Sequence, residues 1–319
     1  MTALQQHLRQ STRRSIDTVW WLVRIMVPAS AVVFVLERTG LLAVFGGVLE
    51  PVTRLMGLPG GAALALISSV VVNLYAVIAV VVGLDLTVKQ LLIISLVCLV
   101  AHNYPVELAV TRRTGTAVVR MFFLRTLGGL LLGFAVASLV PDHGFWAERA
   151  TGMSAAATAA VEPTLAAATL GWARGLALLL GRVVLIVVGL TFGTRLLQYY
   201  GVMHWISRHL RPLMAFFGLP AGTGPAWIVA NTLGLAYGAA VLAEEVESDR
   251  FTLREGDLLN HHLGVSHSLL EDTALFAAIG APVIWLIIPR LALALLAVWE
   301  RKLERIIRRR LLPEQGQNT

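Results

Sequence analysis

Charge is scarce in this 319-residue chain: 14% of its residues are Asp, Glu, Lys or Arg, where soluble domains carry roughly 25%. Hydrophobic residues make up 57% and the mean hydropathy is +0.75, which excludes an ordinary soluble domain. Cysteine is nearly absent. Cys98 stands alone, so no internal disulfide and no multi-cysteine metal or iron–sulfur site forms. There is no Gly-x-x-x-x-Gly-Lys-Ser/Thr loop to cradle a nucleotide and no His-Glu-x-x-His pair to hold a hydrolytic zinc. What remains is oxygen and imidazole chemistry in an apolar setting.

Long apolar runs are plentiful. About 20 helical residues cross a hydrocarbon core of roughly 30 Å, and six stretches meet that length: 17–37, 61–83, 117–140, 172–194, 223–243 and 282–300. The chain thus reads as an all-α polytopic membrane protein whose first partner is the lipid bilayer. Ala29-Ser30-Ala31 has the look of a signal-peptide cleavage site. Arg24 interrupts the run before it and the hydrophobicity continues beyond, so the segment is expected to stay as a span.

The 26 basic residues outnumber the 19 acidic ones by seven, yet they flank the spans instead of forming a nucleic-acid surface. Arg9, Arg13 and Arg14 precede the first span, and Arg301, Lys302, Arg305, Arg308, Arg309 and Arg310 follow the last. The positive-inside rule therefore places both termini in the cytoplasm of a bacterial inner membrane, with 1–16 as an N-terminal segment and 301–319 as a basic tail. Asp142, Glu148 and Glu162 mark 142–170 as an exterior linker, as Glu244, Glu245, Glu247 and Asp249 mark a second exterior loop. Arg112, Arg113, Arg120, Arg195, Arg208 and Arg211 read as cytoplasmic.

The chain repeats itself. Thr87 aligns with Thr252, His102 with His267, Glu107 with Asp272, Gly115 with Gly280 and Arg125 with Arg290, all at an offset of 165 residues. Gly57-Leu58-Pro59 aligns with Gly218-Leu219-Pro220 at an offset of 161. Repeat 1 covers 17–141 and repeat 2 covers 171–300. Segments 88–116 and 253–281 are too short for two full crossings and, with the loop charges, are expected to be two re-entrant helical hairpins, one from each side. Three spans per half would invert the second repeat relative to the first, an arrangement that puts a site near the midplane.

Ionisable groups at membrane depth are costly, about 2.5 kcal/mol upward at the bilayer centre, so a histidine and an acid in both segments point to use. Pro105 breaks the first segment just after His102-Asn103-Tyr104, and Gly264 with Ser266-His267-Ser268 plays that part in the second. Asn260, Gly264, His267 and Glu271 share one helical stripe. The candidate substrate-binding residues are His102, Asn103, Glu107, Ser266, His267, Ser268, Glu271 and Asp272, with Asn73, Tyr75, Asn231 and Tyr237 lining the cavity. His102, Glu107, His267 and Asp272 form the candidate metal set.

Ala101-His102-Asn103-Tyr104-Pro105-Val106-Glu107 and Ser266-His267-Ser268-Leu269-Leu270-Glu271-Asp272-Thr273, in a duplicated apolar frame, resemble the bacterial nucleoside-recognition or Gate-domain membrane proteins. That group takes in spore-maturation membrane proteins, the channel part of ferrous-iron permeases and, distantly, concentrative nucleoside transporters. The resemblance covers nearly the whole chain and implies a transporter-like fold with an intramembrane site. It carries over neither the iron permeases' GTPase coupling nor a substrate.

Three functions are expected in descending order. The first is a secondary transporter of a divalent transition metal, the ion being substrate and not a resident cofactor. His102 and His267 bind it only when unprotonated, so proton coupling and weaker binding below about pH 6 go with this reading. The second is a transporter of a nucleoside or other small polar solute, with Tyr75, Tyr104 and Tyr237 as stacking surface. The third is an intramembrane metal-dependent hydrolase; the expectation is that the chain is not an enzyme. A homodimer is an expected partner state.

Overall fold

The computed structural model describes residues 51–71, 73–150, 164–202, 209–234 and 252–311, with residue 206 and residues 20, 23, 24, 27, 28, 30, 31, 34, 35, 38 and 39. Expectations for Tyr237, the acidic loop 244–249, residues 1–19 and residues 312–319 lie outside these. Among the described residues the protein is all helical, with one isolated antiparallel bridge between Thr87 and Arg149.

The first half contributes α1 (Ala62–Val71), α2 (Leu74–Val81), α3 (Val88–Val100), α4 (Tyr104–Arg113) and α5 (Val118–Leu139). After the linker come α6 (Leu165–Tyr199), α7 (Arg211–Phe216) and α8 (Gly224–Leu233), then α9 (Leu253–Ser266), α10 (Glu271–Ala277) and α11 (Val283–Leu311). Among the described residues, three stretches are long and apolar enough to cross a membrane: Val88–Arg112, Val118–Leu139 and Val283–Arg308.

The repeat is visible bond by bond. Thr87 with Gln90 and Thr252 with Glu255 form matching capping boxes at the starts of α3 and α9. Asn103 and Ser268, both left-handed, break their helices at the same place, and each donates its backbone N–H to an earlier helix, to Ser69 O of α1 (2.8 Å) and Ala230 O of α8 (3.0 Å). Gly57 and Gly218 each close a short helix in the left-handed region, with N–H bonds to Arg54 O and Ala215 O.

Among the described residues the matching helices α3 and α9, and likewise α5 and α11, run in opposite directions. The start of α3 sits beside the end of α5: Val88 N donates to Glu148 O (2.9 Å), Ala150 N to Leu86 O (3.1 Å), and Lys89 pairs with Asp142 (2.8 Å). The start of α9 sits at the other end, where Thr116 Oγ1 donates to Asp257 (2.7 Å) and Thr114 meets Asn260 (3.1 Å). α5 runs from that second, arginine-rich end toward Trp146. α11 begins near Trp146, through Trp285 (ring centroids 5.2 Å), and returns to the arginine-rich end, where Arg301 and Arg305 reach Asp257.

This geometry corrects the expected hairpins. Segment 88–116 does not return to the side it entered: its start lies by Glu148 and its end by Thr116, at opposite ends of the 22-residue α5. Segment 253–281 likewise starts at the arginine-rich end and finishes toward Trp146. Both run the length of α5 with a break near the middle, and of the two Val88–Arg112 is long and apolar enough to cross a membrane. The fold-back in the first half is instead 61–83, expected as a span. Asn73 Oδ1 accepts from Ala76 N (3.1 Å) and starts α2 afresh, so α1 and α2 pack against each other. Gly57 O receives Gln90 Nε2 (2.8 Å), and Asp85 pairs with Arg149, so 57–85 leaves at the end where it entered. With 10 and 8 residues at ~1.5 Å each, neither arm spans a bilayer.

The core lies around α3, nearly all of whose residues are buried, wrapped by α1, α2 and α5 and continued into the second half by Leu275, Phe276 and Leu286. Gly264 lets α9 close on α5, since a Cβ there would stand 2.5 Å from Met121 Sδ. The two broken helices thereby meet at their breaks.

Candidate functional site

Where the breaks meet, four ionisable groups from both halves converge. His102 closes α3 with its Nδ1 3.0 Å from Cys98 O, and His267 closes α9 with its Nδ1 2.8 Å from Leu263 O. A carbonyl only accepts, so each Nδ1 carries a proton, and in the neutral ring each Nε2 presents a lone pair. The two Nε2 atoms face each other at 3.2 Å. Glu107 Oε1, from the first turn of α4, lies 3.0 Å from one and 3.3 Å from the other. All three residues are buried and their ligand atoms lie within 4.8 Å of one another.

Three acceptors facing each other without a donor between them repel, unless a cation or a proton sits there. Their spacing suits a metal. Four ligands at about 2.0–2.1 Å around a tetrahedral ion are about 3.3 Å apart, close to the 3.0, 3.2 and 3.3 Å found here. Asp272 Oδ2 is a fourth oxygen, 3.9 Å from His102 Nε2, buried and without a hydrogen-bond partner.

An arginine from the following helix backs each half's site. Arg125 is fully buried: its Nε donates to Val100 O (2.8 Å), its Nη2 to His102 O (2.9 Å), and its Nη1 forms an ion pair with Glu107 Oε2 (2.7 Å). It thus satisfies carbonyls that the break in α3–α4 releases, while its charge steadies the carboxylate. The Tyr104 ring, anchored by Thr126 (2.8 Å), lies 5.0 Å from the guanidinium. Its counterpart Arg290 is as deeply buried but, among the described residues, reaches only Thr273 Oγ1 at 3.4 Å, with Asp272 as its charge partner, and its Nε and Nη1 find no hydrogen-bond acceptor there. Glu271 accepts from Tyr75 Oη (2.6 Å), which ties α10 to the tip of the α1–α2 hairpin. Three carboxyl groups, Glu107, Glu271 and Asp272, and two guanidiniums, Arg125 and Arg290, thus meet around the breaks.

The other expected residues divide. Asn103 and Ser268 stand at the breaks and act through their backbones, and the Ser268 hydroxyl also bonds Asp272. Ser266 Oγ turns back to His262, at 2.8 Å from its carbonyl and 2.9 Å from Nδ1, away from His267. Asn73 caps α2, and Asn231 donates to Trp227 O (2.9 Å) with its Oδ1 unpartnered. Asn260, on the same expected stripe as His267, instead binds Thr111, Thr114 and Thr116 at the arginine-rich end. That end holds a network the sequence reading did not assemble: Arg120 Nε donates to His261 Nε2 (2.7 Å) and pairs with Glu300 and Glu304 (3.0 and 2.6 Å). Its members lie up to 184 positions apart in the chain, and no periodic pattern links them.

Residues 19–117 match the Gate family model, described as nucleoside recognition. Over 281 residues the chain is 30% identical to the uncharacterized membrane protein YvoD of Bacillus subtilis (strain 168), covering 88% of this chain and 89% of that protein. No solved structure matches the chain.

Proposed function

This chain belongs to the Gate (nucleoside recognition) family of membrane proteins, and we propose that it moves a divalent transition-metal ion across the bacterial inner membrane as a secondary transporter. The observation that carries this reading is the trio of facing lone pairs, His102 Nε2, His267 Nε2 and Glu107 Oε1, on two helix breaks. Mixed imidazole and carboxylate ligands suit zinc, iron, manganese or nickel. Each half supplies one histidine, so relative movement of the halves makes or breaks the ion's shell, which is how inverted repeats give alternating access. Protons compete for the same imidazole nitrogens, which couples metal release to acid. The arginine-rich end would face the cytoplasm.

The test is a thermal-shift and proteoliposome-uptake series with Zn²⁺, Mn²⁺, Fe²⁺, Co²⁺ and Ni²⁺ on the wild type and on the double variant His102→Ala, His267→Ala. A ligand at one hundred times its Kd stabilises the native state by about 2.7 kcal/mol, so a metal that binds here raises the melting temperature of the wild type only. A folded wild type that neither binds nor moves any of these ions sinks the proposal. A second reading, a small polar organic solute such as a nucleoside, is favoured by the unpartnered Asn231 Oδ1 and Trp227 Nε1 on one face of α8. It expects a shift with nucleosides that survives the double histidine variant.

A further inference from the structure

At the arginine-rich end, α9 and α11 flank a pocket of about 330 Å³ unconnected with the histidine site. Arg254, Arg301, Arg305 and Arg308 line it together with Asp257, Gly115 and Leu253. Asp257 is already saturated: it accepts from Thr116 (2.7 Å), Arg301 (2.7 Å) and Arg305 (2.5 Å) and so fixes two guanidiniums in place. Arg301 and Arg308 also contact Glu304, each at 2.7 Å. Arg254 is exposed and forms no ion pair among the described residues. Counting Arg120, five guanidiniums stand against Asp257, Glu300 and Glu304, an excess of two positive charges.

The position of the pocket says what meets it. α11 has 29 residues, about 43 Å at 1.5 Å per residue, against a hydrocarbon core of roughly 30 Å. Its start lies at the far end of the molecule beside Trp146, so its last turns emerge at headgroup depth. There Leu303, Ile306 and Ile307 form an exposed apolar stripe at i, i+3 and i+4 beside the arginines, and Leu253 is exposed on the pocket's other wall. An apolar stripe next to clustered guanidiniums is the surface an acyl chain and a phosphate occupy together. We propose that this pocket binds the phosphate of an anionic phospholipid, its acyl chains lying along the α11 stripe. Arginine forks match phosphate oxygens two at a time, and the bound headgroup would bridge α9 to α11.

The test uses the full chain in a neutral detergent, titrated with phosphatidylglycerol, phosphatidylcholine or inorganic phosphate and read by native mass spectrometry and melting temperature. The wild type is expected to retain phosphatidylglycerol over phosphatidylcholine. The variant Arg254→Ala, Arg308→Ala, both exposed positions, is expected to melt normally without lipid and to lose about tenfold or more in that affinity. Arg310→Ala, in the same basic tail but outside the pocket, is expected to keep it. Equal loss in Arg310→Ala overturns the pocket in favour of a diffuse basic tail. No preference for the anionic lipid overturns it outright, and equal stabilisation by inorganic phosphate alone replaces the lipid with a soluble anion.

Discussion

Arg125 and Arg290 occupy equivalent positions in the two repeats, are equally buried, and do different work. Arg125 meets two carbonyls and a carboxylate, so its removal strands all three in the interior. Arg125→Ala should therefore cost about 3–5 kcal/mol, the usual penalty for breaking a buried charge pair. Arg290→Ala removes one long contact to Thr273 and the charge opposite Asp272, and should cost less. Chemical or thermal unfolding of both variants in one detergent ranks them, and the reverse order would refute the bracing role given to Arg125. At this scale the sequence was informative wherever the offset of 165 applied, because repetition marks His102, Glu107, His267, Asp272 and both arginines without any knowledge of contacts. It named Ser266 as a substrate contact and put Asn260 on the His267 stripe, and gave no sign of the partners they take. Ser266 is claimed by His262 one turn earlier, and Asn260 by threonines about 145 positions away, and neither choice leaves a periodic trace.

At the scale of elements, glycine marks two close approaches of different stiffness. Gly115 is left-handed (φ 100°) and a Cβ on it would stand 2.8 Å from the backbone oxygen of Leu253. Gly264 is helical, and its Cβ would meet the flexible end of Met121 at 2.5 Å. Backbone cannot step aside as a thioether can, and the left-handed conformation adds roughly 1–2 kcal/mol for a residue with a Cβ. Gly115→Ala should thus lower the melting temperature more than Gly264→Ala, and near-equal losses would show that the α4–α5 turn gives way. Elements were also where apolar length misled. The run 61–83 is long enough to span, and only Asn73 within it signals that the helix restarts and folds back. In 88–116, by contrast, Pro105 showed where the helix breaks but not that the chain continues across, since a break has the same local chemistry in a hairpin and in a crossing.

Over the whole molecule, exchanging hairpin for crossing changes what the repeat means. With Val88–Arg112 the length of a crossing, the broken helix that carries His102 reaches from one end of the molecule to the other. The ends are held unequally. At the arginine-rich end, α9 is tied to α5 and α11 by Asp257, Arg120, Arg301 and Arg305. At the other, the halves meet through the edge-on Trp146–Trp285 pair, while the ion pairs Lys89–Asp142 and Asp85–Arg149 stay within the first half and are solvent-exposed on at least one side, contacts worth little in water. The Trp146 end is accordingly the one expected to part first. The crossing itself is open to a direct check by single-cysteine labelling on a Cys98→Ala background in sealed, oriented vesicles. An impermeant maleimide should reach Asp85→Cys and Asp142→Cys from one face and Arg112→Cys only from the other. If positions 85 and 112 label from the same face, segment 88–116 is re-entrant after all, and the two histidines come to the site from hairpin tips and not from broken crossings.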